Sequence, residues 1–581
     1  ATAAAAAAAT AAAAAAAAVA AAGTATADVA AAAAASAAAA AAVIGTYVVP
    51  RDAVPTFPVP GLRAPSAQAV PPEHLALAGP DSRFVLFEGV LLHYTVHVRS
   101  DAAAFIASTR AAAGACASGL EHALAGSTHA SNNEPAAASA AASKISAAPA
   151  SPSSSLSASL HASAGSDAAD ANAAAHNASA PAPASVPPPP PALVLHHGFG
   201  SSLFSFLPTL GALLTPTVTP LNAADASFSD AAAATAAVAA GRAVLAPGAS
   251  AVLCFDRPGF GLSGRPQEAE IAARERARAT RLREQGAVER ERSRLSALYG
   301  HSLRANAATR ALLSAAFAPE SSPYHVDFAT RATFALMQAH GLDLLGAVVG
   351  GHHSGAAVVV RTALADADAV AELESTAAAR NSSSAGGSGG AGSSTAVASA
   401  GAAAGPGRVR RLVRGVLLLA PSLYEDGFPQ LLRSLFRTGL GRSMVHQLLR
   451  SEVGDVALRR SWFRPSAIPP EVVALNKAFA RLPHWHAAFL VMAATPSPNE
   501  ALVARLGEIA CPVLLVHGEQ DKIVPPVASG KTARALTGSE SVELARVPAC
   551  GHCPQEEQAE LFVAYTAAFI RAVAMQGWTL P

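Results

Sequence analysis

Short apolar runs, each ending in a cluster of turn formers, recur along this chain and set its architecture. "RFVLF" and "VLLHYTVHV" lie on either side of Glu88-Gly89, and their β-branched and aromatic alternation predicts a hairpin over Asp81 to Val98. "ALVLHHGFG" (Ala192 to Gly200) and "AVLCFDRPGFGLSGRP" (Ala251 to Pro266) each read as a buried strand running into a Gly-rich loop. "DFATRATFALMQAHG" (Asp327 to Gly341) spaces Phe328, Phe334, Leu336 and Met337 as a helix does, and a strand follows into Gly350. "RLVRGVLLLAP" (Arg411 to Pro421), "CPVLLVHGEQDKIVPP" and "SVELARVPACGHCPQEEQ" supply further strands before a C-terminal helix from Ala559 to Val573. Short buried strands alternating with helical stretches predict an α/β fold. Its central sheet is mostly parallel and carries helices on both faces.

Between these islands the pattern disappears. Residues from about 100 to 191, 215 to 248 and 376 to 407 are dominated by Ala, Ser, Gly and Pro, which cannot bury a core, and are expected to be disordered insertions. Residues 268–298 alternate charges of both signs, as a solvated helix with i,i+4 ion pairs does. The ordered fold is therefore expected within residues 81–581, with mixed helical segments over about 422–509.

Composition changes this picture in few places. Apolar residues reach 51%, but alanine supplies much of that share and adds little driving force. With a formal net charge of +1 and no basic stripe interleaved with aromatics, nothing points to a nucleic-acid partner. Residues 1–50 form an Ala-rich tail without Lys or Arg, unlike an Arg-rich transit peptide. Its segment Val29 to Val49 is uncharged and long enough to span a bilayer, so it reads either as a membrane anchor or as a disordered or loosely helical Ala tract, and a membrane-associated or plastid location is open. Of five scattered cysteines only Cys550 and Cys553 have C-x-x-C spacing, read as small residues of a tight loop in preference to a redox switch beside His552.

In an open parallel sheet, chemistry gathers where strands end. The turn His196-His197-Gly198-Phe199-Gly200 has the glycines that let backbone N–H groups face a ligand oxygen. In "DRPGFGLS", Asp256 and Arg257 are expected to tie down the loop beside the site. "VVGGHHSGAAVVV" (Val348 to Val360) takes a strand through a glycine-framed turn into a small-residue helix start. Asp521 and His552 each follow a strand further on, in that order.

These stretches, with "GHCPQEEQAELF", resemble the α/β-hydrolase fold family of the type with a helical cap. The segment from Ser461 to Phe489 falls where that family inserts its cap. The chain order of elbow, acid and histidine is the family's triad order. The resemblance implies that Asp521 orients His552, that His552 is the general base, and that the Phe199 N–H, in the turn with Gly198, is one oxyanion donor. The second donor would come from the residue after the nucleophile, which is Gly355 if Ser354 attacks. No cofactor and no metal are implied.

The elbow departs from the family's G-x-S-x-G. Gly351 to Gly355 read G-H-H-S-G, so the glycines frame His353 while the serine, Ser354, sits one place late. Three readings stay open. Ser354 attacks after a bulge at Gly350-Gly351 slides it into place; or His353 holds the apex and the triad is broken; or His353 acts as base or nucleophile, or joins His197 and His552 around a metal. The expected activity is hydrolysis of an ester or similar acyl bond of a small, apolar substrate; Phe463, Trp485, Phe489 and Met492 of the cap either offer it an apolar surface or simply pack the cap onto the core. The alternative is a catalytically impaired scaffold that binds a small hydrophobic ligand.

Overall fold

Alternation along the strands decides how the sheet is sandwiched. In Leu193-Val194-Leu195, for example, Val194 faces one apolar cluster while Leu193 and Leu195 face another. The structure, a computed structural model, describes residues 51–111, 189–220, 243–274, 322–385, 411–424, 458–494 and 498–575. Positions 55, 67, 216 and 247 are excepted, and a few single residues around 276–280 and 438–443 are added.

Eleven strands are described: β1 (Leu62–Arg63), β2 (Arg83–Phe87), β3 (Val90–Val98), β4 (Ala192–His196), β5 (Thr217–Pro220), β6 (Ala243–Ala246), β7 (Ala251–Phe255), β8 (Ala347–His352), β9 (Val413–Leu419), β10 (Val513–Gly518) and β11 (Val542–Val547). Nine of them form one sheet in the order β1-β2-β3-β7-β4-β8-β9-β10-β11. The pairs from β1 to β7 are antiparallel, and those from β7 to β11 are parallel. The predicted hairpin forms as β2 and β3, with Glu88 and Gly89 at φ 48° and 75°, the mirror-image turn that suits a right-twisted ribbon.

Helices Val326–Ala339 and Gly355–Ala385 pack together on the face that holds Val194, Leu253 and Val349. Helices Leu207–Leu214 and Ala559–Met575 cover the opposite face, against Leu195, Val252 and Leu417. The expected α/β sheet with helices on both sides is what the chain forms. Since β4, β7 and β8 are buried along their whole length, the polar groups that do chemistry are confined to the strand ends.

Structure reaches further into the expected insertions than composition suggests. Residues 100–111 are helical, with Ala102 and Ile106 in the core. The helix starting at Gly355 runs to Ala385, and β5 pairs antiparallel with β6 from the two ends of the 215–248 stretch. Alanine is the best helix former, so an Ala-rich composition does not by itself mark the end of a helix. Most of the three insertions, the tail 1–50 and most of 268–298 lie outside the described residues. Between β9 and β10 come helices Pro470–Arg481, Trp485–Ala494 and Asn499–Ala504, within the stretch expected to form the cap. Among the described residues no helix is long and apolar enough to cross a membrane; the segment Val29 to Val49 lies outside them.

Candidate active site

At the end of β8 the chain turns sharply into a helix, and His353 is the residue at the turn, with φ 50°. Such a left-handed backbone is rare for a residue with a side chain and is held here by its surroundings. The His353 N–H donates to Leu419 O at 2.9 Å, and its carbonyl accepts from Ala356 N at 3.1 Å. The flanking glycines are needed because strand and helix nearly touch. A Cβ on Gly351 would lie 2.5 Å from Gly355 O, and one on Gly355 would lie 2.5 Å from His196 O.

The slack expected at Gly350-Gly351 is absent. Both residues pair in register, Gly350 with Leu195 and Leu417, and Gly351 with His196 and Leu418; the irregularity of the β8–β9 pairing lies earlier, between Ala347 and Val348. A Cβ at position 350 would meet Leu195 Cδ2 at 2.7 Å, so this glycine serves close packing and not a bulge. The structure therefore places His353, not Ser354, at the apex. Ser354 Oγ accepts a hydrogen bond from Arg257 Nη2 at 2.9 Å and makes none with His552. The Ser354 backbone N–H has no acceptor among the described residues.

Asp521 and His552 come together as expected. His552 Nδ1 donates to Asp521 Oδ2 at 2.7 Å. The other carboxylate oxygen accepts from the backbone N–H groups of Ile523 (2.7 Å) and Val524 (2.9 Å), and His517 Nε2 lies 3.1 Å from Oδ2. Burial alone would raise this carboxyl, but the hydrogen bonds from His517, His552 and Val524 outweigh it and hold the acid far below its usual range. Asp521 is thus a fixed anion that orients His552. The His552 ring packs edge-on to His353, with ring centroids 4.9 Å apart, so His552 lies against the elbow apex.

Three more side chains build the site without having been singled out for it. His352, the last residue of β8, donates from Nε2 to His552 O at 2.9 Å and so braces the base from behind. Glu557 accepts from Gly551 N (2.9 Å) and from Phe463 N (2.8 Å), tying the histidine loop to the start of the cap. Arg257, expected only to secure its loop, reaches Ser354. No periodicity announces the contacts of His352 with His552, Glu557 with Phe463 or Arg257 with Ser354, because these partners lie 94 to 200 residues apart in the chain. Asp256 keeps the structural role expected of it: it accepts from His93 Nδ1 (2.7 Å), Leu203 N (2.7 Å) and Leu262 N (2.9 Å).

The turn after β4 lies against the elbow. A Cβ on Gly198 would stand 2.7 Å from His352 Nδ1 and 3.1 Å from His353 Cβ, so only glycine fits there. His197 Nδ1 donates to Gly198 O (2.7 Å) and its Nε2 accepts the Arg257 N–H (3.0 Å). Burial, with Arg257 as a second cause, pushes His197 down to about 3, so it is neutral. With both ring nitrogens engaged, His197 cannot join His353 and His552 around a metal. Among the described residues no group of His, Cys, Asp and Glu is arranged to hold one. His353 is pushed down to about 3 by burial first and then by His552 and Arg257, which makes it a neutral imidazole. Its Nδ1 is buried without a partner. Cys550 and Cys553 are buried free thiols that burial pushes upward, as fits small loop residues and not a redox pair.

Aromatic rings cluster on the turn after β4. Phe199 meets Phe260 and Phe489 edge-on at 5.6 and 5.5 Å, and Phe489 stacks on Trp485 at 5.7 Å. Phe489, in the stretch expected to form the cap, thus reaches the turn after β4.

Comparison with known proteins agrees with this architecture. Over 102 residues the chain is 32% identical to a 2-hydroxy-6-oxononadienedioate/2-hydroxy-6-oxononatrienedioate hydrolase of Paraburkholderia xenovorans (strain LB400), which is 17% of this chain and 34% of that protein. The match therefore spans only about a third of the relative's length. Similar solved structures include the 2-hydroxy-6-oxo-6-phenylhexa-2,4-dienoate hydrolase of Rhodococcus sp. strain RHA1, with a TM-score of 0.35, 16% identity, and coverage of 66% of this chain and 91% of that one. A thermophilic esterase from Thermogutta terrifontis gives a TM-score of 0.34 at 16% identity, covering 67% of this chain and 92% of the other. The model of the alpha/beta hydrolase family matches residues 193–565, from the first parallel strand to the C-terminal helix. With the parallel strands, the elbow and the acid–histidine pair inside that match, the chain belongs to the alpha/beta hydrolase family.

Proposed function

We propose that this protein hydrolyses an ester or similar acyl bond in a small substrate with an apolar body. The observation that carries the proposal is the 2.7 Å bond from His552 Nδ1 to an ionised, buried Asp521, with the His552 ring turned to the elbow apex. A carboxylate that fixes the tautomer of a histidine leaves Nε2 free to take a proton. In this reading water is the nucleophile. His552 Nε2 removes a proton from water as its oxygen attacks the acyl carbon, and the neutral His353 ring walls the water's position. The carbonyl oxygen becomes an oxyanion that rests on the N–H groups of Phe199 and Ser354. Collapse of the intermediate expels the leaving oxygen, which takes the proton back from His552. One water is consumed, and acid and alcohol result. The relative from Paraburkholderia is itself named a hydrolase, which supports the reaction class.

The test is hydrolysis of short para-nitrophenyl esters by the full chain. We expect turnover that falls by about 10²–10⁴ in His552→Ala. Activity that survives this substitution would sink the proposal. A second reading, a binding scaffold without turnover, draws support from the histidine at the apex and from the engagement of Ser354 with Arg257. It predicts saturable binding of apolar esters with no product.

A further inference from the structure

Arg257 is a cation in the protein interior that the reaction above leaves without a counter-charge. Its Nη2 donates to His197 O (3.0 Å) and Ser354 Oγ (2.9 Å), and its guanidinium rests 5.1 Å from the centre of the Phe260 ring. Nε is sealed from solvent with no partner. Nη1 makes no hydrogen bond among the described residues and, unlike Nε, is not sealed.

Every acceptor Arg257 uses is neutral. Asp256, its neighbour in the chain, and Asp521 of the same site are committed elsewhere: Asp256 to His93 and two backbone N–H groups, Asp521 to His552, His517 and its own turn. Burial pulls the guanidinium down to about 10, and no anion opposes that pull, yet it remains charged at neutral pH. A cation taken out of water costs several kcal/mol unless an anion or a full set of acceptors offsets the loss. Arg257 has neither.

The cation is also in the right place. It is bonded to the residue directly after the apex, and the Phe260 ring beneath it touches Phe199 of the oxyanion turn. We infer that the site takes a substrate bearing a carboxylate, which binds Nη1 of Arg257 with the Ser354 hydroxyl beside it, while an apolar body lies on Phe199, Phe489 and Trp485. A carboxylate matches one guanidinium in charge; a phosphate dianion would exceed it. The inference rests on the acyl-hydrolase reading for the position of the scissile bond, which then lies only a few atoms from the carboxylate. Binding of the acid, however, needs no turnover.

Calorimetry on the full chain tests it with phenylacetate against the uncharged phenylacetamide. Wild type is expected to bind the acid at least about tenfold tighter, the worth of one charge-assisted hydrogen bond. The preference should vanish in Arg257→Met, persist in part in Arg257→Lys, and remain intact in His552→Ala. Equal binding of acid and amide by wild type, a comparison that needs no variant to fold, would overturn the inference. So would a preference that survives Arg257→Met, or inorganic phosphate binding more tightly than phenylacetate. Hydrolysis is read separately, with para-nitrophenyl hemisuccinate against the similarly sized valerate. A kcat/KM ratio of about ten or more in favour of the hemisuccinate is expected. Loss of turnover on both esters would count against the hydrolase reading alone, with the calorimetric preference still deciding the role of Arg257.

Discussion

Arg257 Nη2 holds Ser354 Oγ at 2.9 Å, and this one contact separates the serine of the elbow from the base that would have to activate it. An attacking serine must share its proton with His552. Here the hydroxyl is engaged by a guanidinium, and the residue facing His552 is His353.

It follows that Ser354→Ala should keep most of its ester hydrolysis, within about threefold of wild type, since no proton transfer of about 10²–10⁴ in rate passes through its hydroxyl. Asp521→Asn should lose about as much as His552→Ala, because the wrong tautomer of His552 would face the site. Initial rates on para-nitrophenyl esters and labelling by a serine-directed phosphonate check both statements. Strong labelling of wild type that disappears in Ser354→Ala would show that the serine does attack.

Placing a hydroxyl at the apex should create what the chain lacks. His353→Ser puts Oγ on the residue with φ 50°, framed by Gly351 and Gly355 and facing His552. We expect this variant to be labelled by the phosphonate where wild type stays at background, with labelling abolished again by His552→Ala. Intact-mass spectrometry reads the adduct directly. An unlabelled, folded His353→Ser would mean that the oxyanion turn does not complete the site.

Acid should destabilise the fold well above the usual carboxylate range. Burial pushes His196, His197 and His353 each down to about 3, whereas an unfolded histidine titrates near ~6.5. Between those values the unfolded chain binds more protons than the folded one, so stability rises with pH and is lost as pH falls from ~6.5 towards 3. Each group contributes about 1.4 kcal/mol of loss by pH 5.5. Urea midpoints at pH 7.5 and 5.5 should differ accordingly, with a smaller difference in His353→Phe. Equal midpoints in wild type would contradict the neutral, buried state of these rings.

Close approach of strand and helix at the elbow should make Gly355→Ala costly. Its Cβ would lie 2.5 Å from His196 O and 2.8 Å from His197 O, both backbone atoms that cannot swing aside. A loss of about 1–3 kcal/mol is expected from urea unfolding. Crowding at His197 O should also disturb Arg257, which donates to that oxygen.

The sequence by itself determined the sheet and the order of its chemistry. Continuous apolar runs such as Ala192 to His196 and Val513 to Gly518 can be buried on both faces in only a few ways. The order of elbow, Asp521 and His552 along the chain then fixes which strand ends carry the acid and the base. The glycine spacing even identified His353 as the residue the turn can accommodate, since the steric demand there is local.

What the sequence left open was decided at long range. Whether Gly350-Gly351 formed a bulge depended on Leu195, more than 150 positions earlier in the chain, whose side chain fills the space a Cβ would need. The partner of Ser354 depended on Arg257, 97 residues away, and the brace on His552 came from His352, 200 residues away. Those contacts arise because neighbouring parallel strands bring their ends to one edge of the sheet. Local pattern specifies which residues end a strand, but only the packed sheet decides which of those ends meet.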